Sequence, residues 1–356
     1  MEKRRYDIDA LRSVAMFLLI FYHLGISFTS IAPYIAFVQN NKVTDNLWVL
    51  LSLLNTWRIP LVFLIAGIAL RLSFQKRTRS QIIKERLKIL GIPYIFGALT
   101  FGSASLAITA TYYEGWSDEY FWFGFITLFD GVHLWFLKNI LVYCIILIPF
   151  LKLISNKDSK ENIISKLLDK PGGIFVFSTP IILEGHLLNN VEYVSYANTN
   201  HGFYLGFIWF FLGIVLVSQG DSFWDSNKKN WQVHLLLGVS LYFYRFINEF
   251  EGGNALDNRL IAFESFNFIF FMLGLGATYL NKSSPQLTYY KTAVYPVYIV
   301  HLPVQMALMT YFADVNIPLI IKVPLLLFLI IFVSLAIYHA IKNIKLLRPL
   351  FGLRSN

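Results

Sequence analysis

The sequence predicts an all-α fold: a polytopic membrane helix bundle of about ten transmembrane helices with both termini cytoplasmic. Three observations predict it. Of 356 residues, 56% are hydrophobic, 17% aromatic and only 14% charged, against about 25% charged in soluble domains. Long apolar stretches follow one another with short loops between them, so residues 1–356 read as a single transmembrane domain with no appended soluble domain. The basic residues collect on alternate sides of those stretches.

A hydrocarbon core about 30 Å thick takes roughly 20 apolar residues as helix. The first candidate covers 9–31, with Asp9 placed as its N-cap. It runs past signal-peptide length without a small-residue cleavage site, and so reads as a retained span. The next three cover 47–74, 88–111 and 132–153; the last of these holds the single cysteine, Cys144, which excludes a disulfide framework and a cysteine-based metal site. After the polar turn 154–172 come 173–188, 202–218 and 233–247, of which 173–188 and 233–247 are short. The stretch 260–280 precedes the polar turn 281–291, and 293–312 and 317–341 complete the set.

Alternating spans from a cytoplasmic N-terminus satisfy the positive-inside rule. The cytoplasmic flanks then hold Lys3, Arg4, Arg5, Arg12, the basic run from Arg71 to Lys88, Lys152, Lys157, Lys160, Lys166, Lys170, Lys228, Lys229, Lys282, Lys291, Lys342, Lys345, Arg348 and Arg354. That leaves only Lys42, Arg58, Lys138, Arg245, Arg259 and Lys322 elsewhere. The opposite loops are acidic, with Asp45, Glu114, Asp118, Glu119, Asp130, Glu192, Glu249, Glu251 and Asp257. The net charge of +9 is thereby explained by topology, without a nucleic-acid partner.

Ionisable groups at bilayer depth cost several kcal/mol and mark function by default. The candidates are Arg12, His23, Arg58, Glu184, His186, Glu264 and His301. Each also has a packing role open to it, pairing with another buried polar group. Arg12 and His23 stand eleven residues apart, which returns a helix to within roughly 20° of the same face after about 16 Å. Neutral imidazole suits a general base, and a guanidinium suits an anionic ligand; on spacing alone the two are equally a packing pair.

The opening Tyr6-Asp7-Ile8-Asp9-Ala10-Leu11-Arg12, followed after ten residues by His23, resembles the start of the membrane-bound acyltransferase-3 family. Arg58-Ile59-Pro60-Leu61-Val62-Phe63-Leu64-Ile65-Ala66-Gly67 resembles that family's second span, and His133-Leu134-Trp135-Phe136-Leu137 its "HLWFL" segment. Tyr295-Pro296-Val297-Tyr298-Ile299-Val300-His301 is similar to the late segment of the glucan-modifying, succinyltransferase-like branch. Four motifs in order across nearly the whole chain make a specific signal.

The resemblance implies an O-acyltransferase that takes an acetyl or succinyl group from cytoplasmic acyl-CoA, a co-substrate, with no permanently bound cofactor. The acceptor would be a hydroxyl of a glucan or other extracytoplasmic polysaccharide, and the location a multi-pass site in a bacterial plasma or inner membrane. It implies that His23 is the catalytic base and that Arg12 holds the CoA or organises the site. The family often carries closely spaced arginines entering the third span; here the chain reads Lys84-Glu85-Arg86-Leu87-Lys88. Arg86 and Lys88 are therefore candidates for the CoA phosphates, with an ordinary positive-inside flank as the plain alternative.

Arg58, His133, Trp135, Glu184 and His301 are candidates for the acceptor. Arg58 could instead form an ion pair with Glu184 or Glu264, and Trp135 could be an interfacial anchor. His301 follows a proline-interrupted stretch where unwound backbone could line a cavity. His186, His201, His234 and His339 read as structural or solvated. The histidines lack H-E-x-x-H spacing for zinc, and neither a Gly-rich phosphate loop nor a G-x-S-x-G elbow is present. The rival from another class is a transporter or flippase for a polysaccharide or lipid-linked sugar, for which ten spans, broken helices and mid-membrane charge are also expected.

Overall fold

The computed structural model describes residues 4–115, 117, 122–154, 162–188, 192–253 and 256–354. Lys3, Asp118, Glu119, Lys157 and Lys160, used above for orientation, lie outside the described residues. Among the described residues the secondary structure is helical, with no strand.

The longer segments are α1 (Tyr6–Ile26), α2 (Leu47–Phe74), α3 (Arg79–Glu114), α4 (Phe123–Ile154), α5 (Gly173–Leu187), α6 (Asn200–Val217), α7 (Asp221–Arg245), α8 (Asn258–Leu280), α9 (Pro285–Phe312) and α10 (Leu319–Asn343). Eight of them are long and apolar enough to cross a bilayer. The other two answer to the short windows 173–188 and 233–247. The apolar part of α5 is below full spanning length. The second window is the apolar end of α7, a 25-residue helix whose first half, Asp221 to Gln232, is polar.

The start of α1 departs from expectation. The helix begins at Tyr6, so Asp9 lies in its first turn and is not the N-cap. The exposed backbone N–H of Tyr6 donates instead to Asn281 Oδ1 at 2.9 Å. The Asp9 carboxylate is left to accept from Arg4 at 3.0 Å and from Arg12 at 3.1 Å.

The chain forms two compact units. One comprises residues 1–15, 52–83 and 142–287; the other comprises 16–51, 84–141 and 288–356. In the first unit, α2 and α6 touch backbone to backbone. A Cβ on Gly67 would stand 2.0 Å from the Phe210 carbonyl oxygen, and one on Gly213 would stand 2.2 Å from that of Leu64. Small residues allow such approach where apolar burial alone gives membrane helices no preference for one another. In the second unit, Leu24, Phe28, Val297, Met306, Leu326 and Ile330 are among the residues that form the apolar core. Its buried Lys322 caps the end of α9, donating to the carbonyls of Ala313 at 3.2 Å and Val315 at 3.0 Å and to Asn40 Oδ1. The single cysteine, Cys144, is buried within α4.

Proline shapes both units. It has no N–H for the carbonyl four residues earlier, and in hydrocarbon that carbonyl needs another donor. Pro60 cannot donate to Thr56, whose carbonyl takes hydroxyls from Ser265 at 2.7 Å and Tyr196 at 3.2 Å. Pro93 cannot donate to Ile89, whose carbonyl takes the Tyr295 hydroxyl at 2.8 Å. Pro303 cannot donate to Ile299, whose carbonyl takes the His133 ring at 3.0 Å. α9 therefore runs through Pro296 and Pro303 without the unwinding expected before His301.

The backbone contact between α2 and α6 yields a stability prediction. Gly67→Val or Gly213→Val forces the two helices apart and is expected to cost about 1–3 kcal/mol, read as a lowered unfolding midpoint in detergent. A surface change such as Leu236→Val, at an exposed position on α7, should leave that midpoint in place.

Candidate functional site

His23 lies in the last turn of α1, the fourth residue from its C-terminal end, half-buried, in the second unit. Its Nδ1 is 3.0 Å from Nε2 of His301, and the two rings stack at 5.2 Å with planes 16° apart. His301 is fully buried, and its Nδ1 is 2.7 Å from the Tyr298 carbonyl oxygen of its own helix. His133 closes the group: its ring stands edge-on to His301 at 5.4 Å, with Nε2 donating to Ile299. Nδ1 of His133 is buried without a hydrogen-bond partner. Phe37 packs edge-on against His23 at 5.5 Å.

Local backbone places these rings. Within α4 the helix breaks after Asp130. Gly131 adopts φ +82°, where a Cβ would meet the Trp135 backbone nitrogen at 2.8 Å. Val132, a β-branched residue, is held at φ 45°, a strained region for such a side chain. The break turns His133 toward α9, where the Tyr298 hydroxyl donates to the His133 carbonyl. On α9, Tyr298, His301 and Gln305 recur at three and four residues and share a face. Gln305 Nε2 donates to the His23 carbonyl at 2.8 Å and to Ser27 Oγ at 3.2 Å. The sequence reading passed over Tyr298 and Gln305, although their spacing around His301 marks a polar stripe.

His23, His133 and His301 are thus brought together. Trp135 heads the helix after the break, buried, with its ring edge-on to Phe136 at 6.3 Å. Arg86 and Lys88 lie where α3 passes from an α turn into the π turn Leu87–Gly91, half-buried and exposed respectively. Arg12 belongs to the first unit by contact, eleven residues before His23 on the unbroken α1, and is paired with Asp9. Among the described residues no three His, Cys, Asp or Glu side chains are grouped as a metal ion would need.

Arg58 and Glu184 belong to a separate buried polar network in the first unit. Arg58 donates to Asn55 Oδ1 at 3.1 Å, and Asn55 donates to the Val194 carbonyl at 2.9 Å. Glu184 is 2.7 Å from His201 Nδ1, while His201 Nε2 meets the Tyr193 carbonyl at 2.8 Å. Both ring nitrogens of His201 face oxygens, so one proton is shared between this ring and Glu184. His201, set aside in the sequence, is therefore central to the network. Glu264 is not the partner expected for Arg58: both its oxygens take the Arg245 guanidinium at 2.8 Å in a two-pronged pair, which Ser52 and Thr56 extend. In the loop before α6, burial, with the Glu184 charge second, raises the Tyr193 phenol above its ordinary range.

Among the described residues, helices without strands, apolar spans and a cluster of imidazoles define the class as a polytopic membrane protein with a polar interior site. The match to a known family is then specific. Residues 5–339 match the acyltransferase-3 family, described as an acyltransferase domain. The chain belongs to that family and is a multi-pass membrane acyltransferase. No curated protein and no solved structure matches it.

The Arg245–Glu264 pair gives a direct stability test. Glu264→Ala removes the carboxylate bonded to the buried guanidinium at 2.8 Å, leaving it only Glu249 at 3.8 Å, and is expected to cost about 3–5 kcal/mol. Replacing both partners, Arg245→Met with Glu264→Leu, should recover most of that loss in detergent unfolding.

Proposed function

We propose that this acyltransferase moves an acetyl or succinyl group from cytoplasmic acyl-CoA to a hydroxyl of a glucan or another extracytoplasmic polysaccharide, in a bacterial plasma or inner membrane, with His23 as general base. One observation carries the reading: a half-exposed imidazole is held through one ring nitrogen, at 3.0 Å, by a fully buried histidine. A histidine with one nitrogen fixed and its ring partly accessible has the form of a catalytic base.

In the reaction, His23 takes the proton from the sugar hydroxyl as its oxygen attacks the thioester carbonyl. The tetrahedral intermediate then expels CoA thiolate, which receives the proton from His23. A variant in which the acyl group first rests on a carrier group uses the same base. Lys88, exposed, and Arg86, half-buried, are basic and suit the CoA phosphates, and Arg12, on the same helix as His23, is proposed to hold the anionic donor. For the acceptor we propose His133, whose buried Nδ1 is an open hydrogen-bond acceptor, and the Trp135 ring. Arg58 and Glu184, expected from sequence to meet the acceptor, are buried in the polar network of the first unit. His301, expected from sequence to touch the acceptor, is fully buried and receives a different role below. Neither the fold nor the family match favours the transporter reading.

Purified protein incubated with labelled acetyl-CoA or succinyl-CoA and a glucan should label the sugar. His23→Ala should lower that rate about 10²–10⁴-fold with the fold intact. Full transfer by a folded His23→Ala protein would overturn the base assignment. Absence of both CoA binding and labelling would overturn the donor and acceptor assignments.

A further inference from the structure

We propose that His301 is a positioning residue: it fixes the tautomer of His23, so that Nε2 of His23 is the nitrogen that takes the proton. This rests on His23 being the base. The assignment follows from which atoms can donate. A carbonyl oxygen only accepts, so the 2.7 Å contact with Tyr298 places a hydrogen on His301 Nδ1. A neutral imidazole carries one N–H, and Nε2 of His301 is then a lone-pair acceptor. Its 3.0 Å partner, Nδ1 of His23, must supply the hydrogen. His23 has no second N–H in its neutral form, which leaves the lone pair on Nε2.

The opposite direction of donation would need an imidazolium at His301, which is 0% exposed, and taking a charge out of water is costly. The chain thus runs from a backbone carbonyl through His301 to His23, with a histidine in the place where a serine protease has a carboxylate. When His23 takes the proton at Nε2, its Nδ1–H stays bonded to His301. No proton needs to pass through His301. The proton leaves by the nitrogen through which it arrived, to the departing thiolate. Three features keep the pair in register: the stacked rings, the Gln305 bond to the His23 carbonyl, and the edge contact from His133.

Glutamine can reproduce both contacts of His301, with its amide N–H toward Tyr298 and its carbonyl toward His23. Methionine fills a similar space with neither. In the labelled-transfer assay, His301→Gln is expected to keep kcat within about 10-fold of the parent, and His301→Met to lose on the order of 100-fold in kcat with KM unchanged. A KM rise at constant kcat would make His301 a substrate contact and overturn the proposal, as would equal losses in both variants or full activity in His301→Met. Histidine-selective ¹⁵N spectra of the unmodified protein give a readout independent of how the His301 variants fold. The signal lost in His23→Ala should show Nε2 unprotonated in the neutral ring, and a protonated Nε2 would refute the tautomer. Failure of His23→Ala to reduce transfer would strike the base assignment instead, so the two ideas fall to different results.

Discussion

In this chain the peptide carbonyl has to find a donor wherever hydrocarbon replaces water, and prolines decide which carbonyls must look outside their own helix. Thr56, Ile89 and Ile299 each precede a proline by four residues, and each accepts from a side chain on another segment: Ser265 and Tyr196, Tyr295, and His133. These bonds do more than compensate for a missing N–H. Each ties one helix to another at a defined height, which apolar packing alone would leave free to slide. The histidine cluster depends on the third of them, because the Ile299 carbonyl holds His133 by Nε2 and so fixes its ring.

The two units meet the cost of burying polar groups in different ways. The first uses a charge pair, Arg245 with Glu264, and a carboxyl bonded to an imidazole, Glu184 with His201. Such pairs are rigid, and removing one member leaves the other exposed to a low-dielectric interior. The second unit, around His23, uses imidazoles and carbonyls, with Lys322 bonded to neutral oxygens at the far end of α9. A base that must gain and lose a proton in each turnover fits that second setting, because no permanent charge in the chain of rings locks it in one state.

Much of this was legible from the residues. The membrane class, the existence of each long apolar segment and the family follow from apolar runs and four motifs, and the 5–339 match agrees with them. The windows opening at 88, 132 and 233 miss starts at Arg79, Phe123 and Asp221, because the polar or broken first turns of those helices carry no apolar signal. The meeting of His23, His133 and His301 was not readable from spacing, since three distant segments must fold to bring it about. The sequence offers Glu184 or Glu264 as an ion-pair partner for Arg58, whereas Glu264 takes Arg245, on the helix that packs beside α8. Asp9 was mistaken for a cap because the apolar run begins after it, while the helix itself starts earlier, where Asn281 supplies the acceptor. The roles of Pro60, Pro93 and Pro303 are a general lesson: the sequence marks the freed carbonyl, and only the tertiary structure shows who answers it.

Cys144, the single thiol, is shut inside α4. A thiol buried away from solvent is slow to meet a reagent. The native protein is therefore close to a silent background for maleimide chemistry. One cysteine placed in each loop in turn, challenged with a membrane-impermeant reagent on intact cells and then on opened ones, would let every loop declare the side of the bilayer on which it sits.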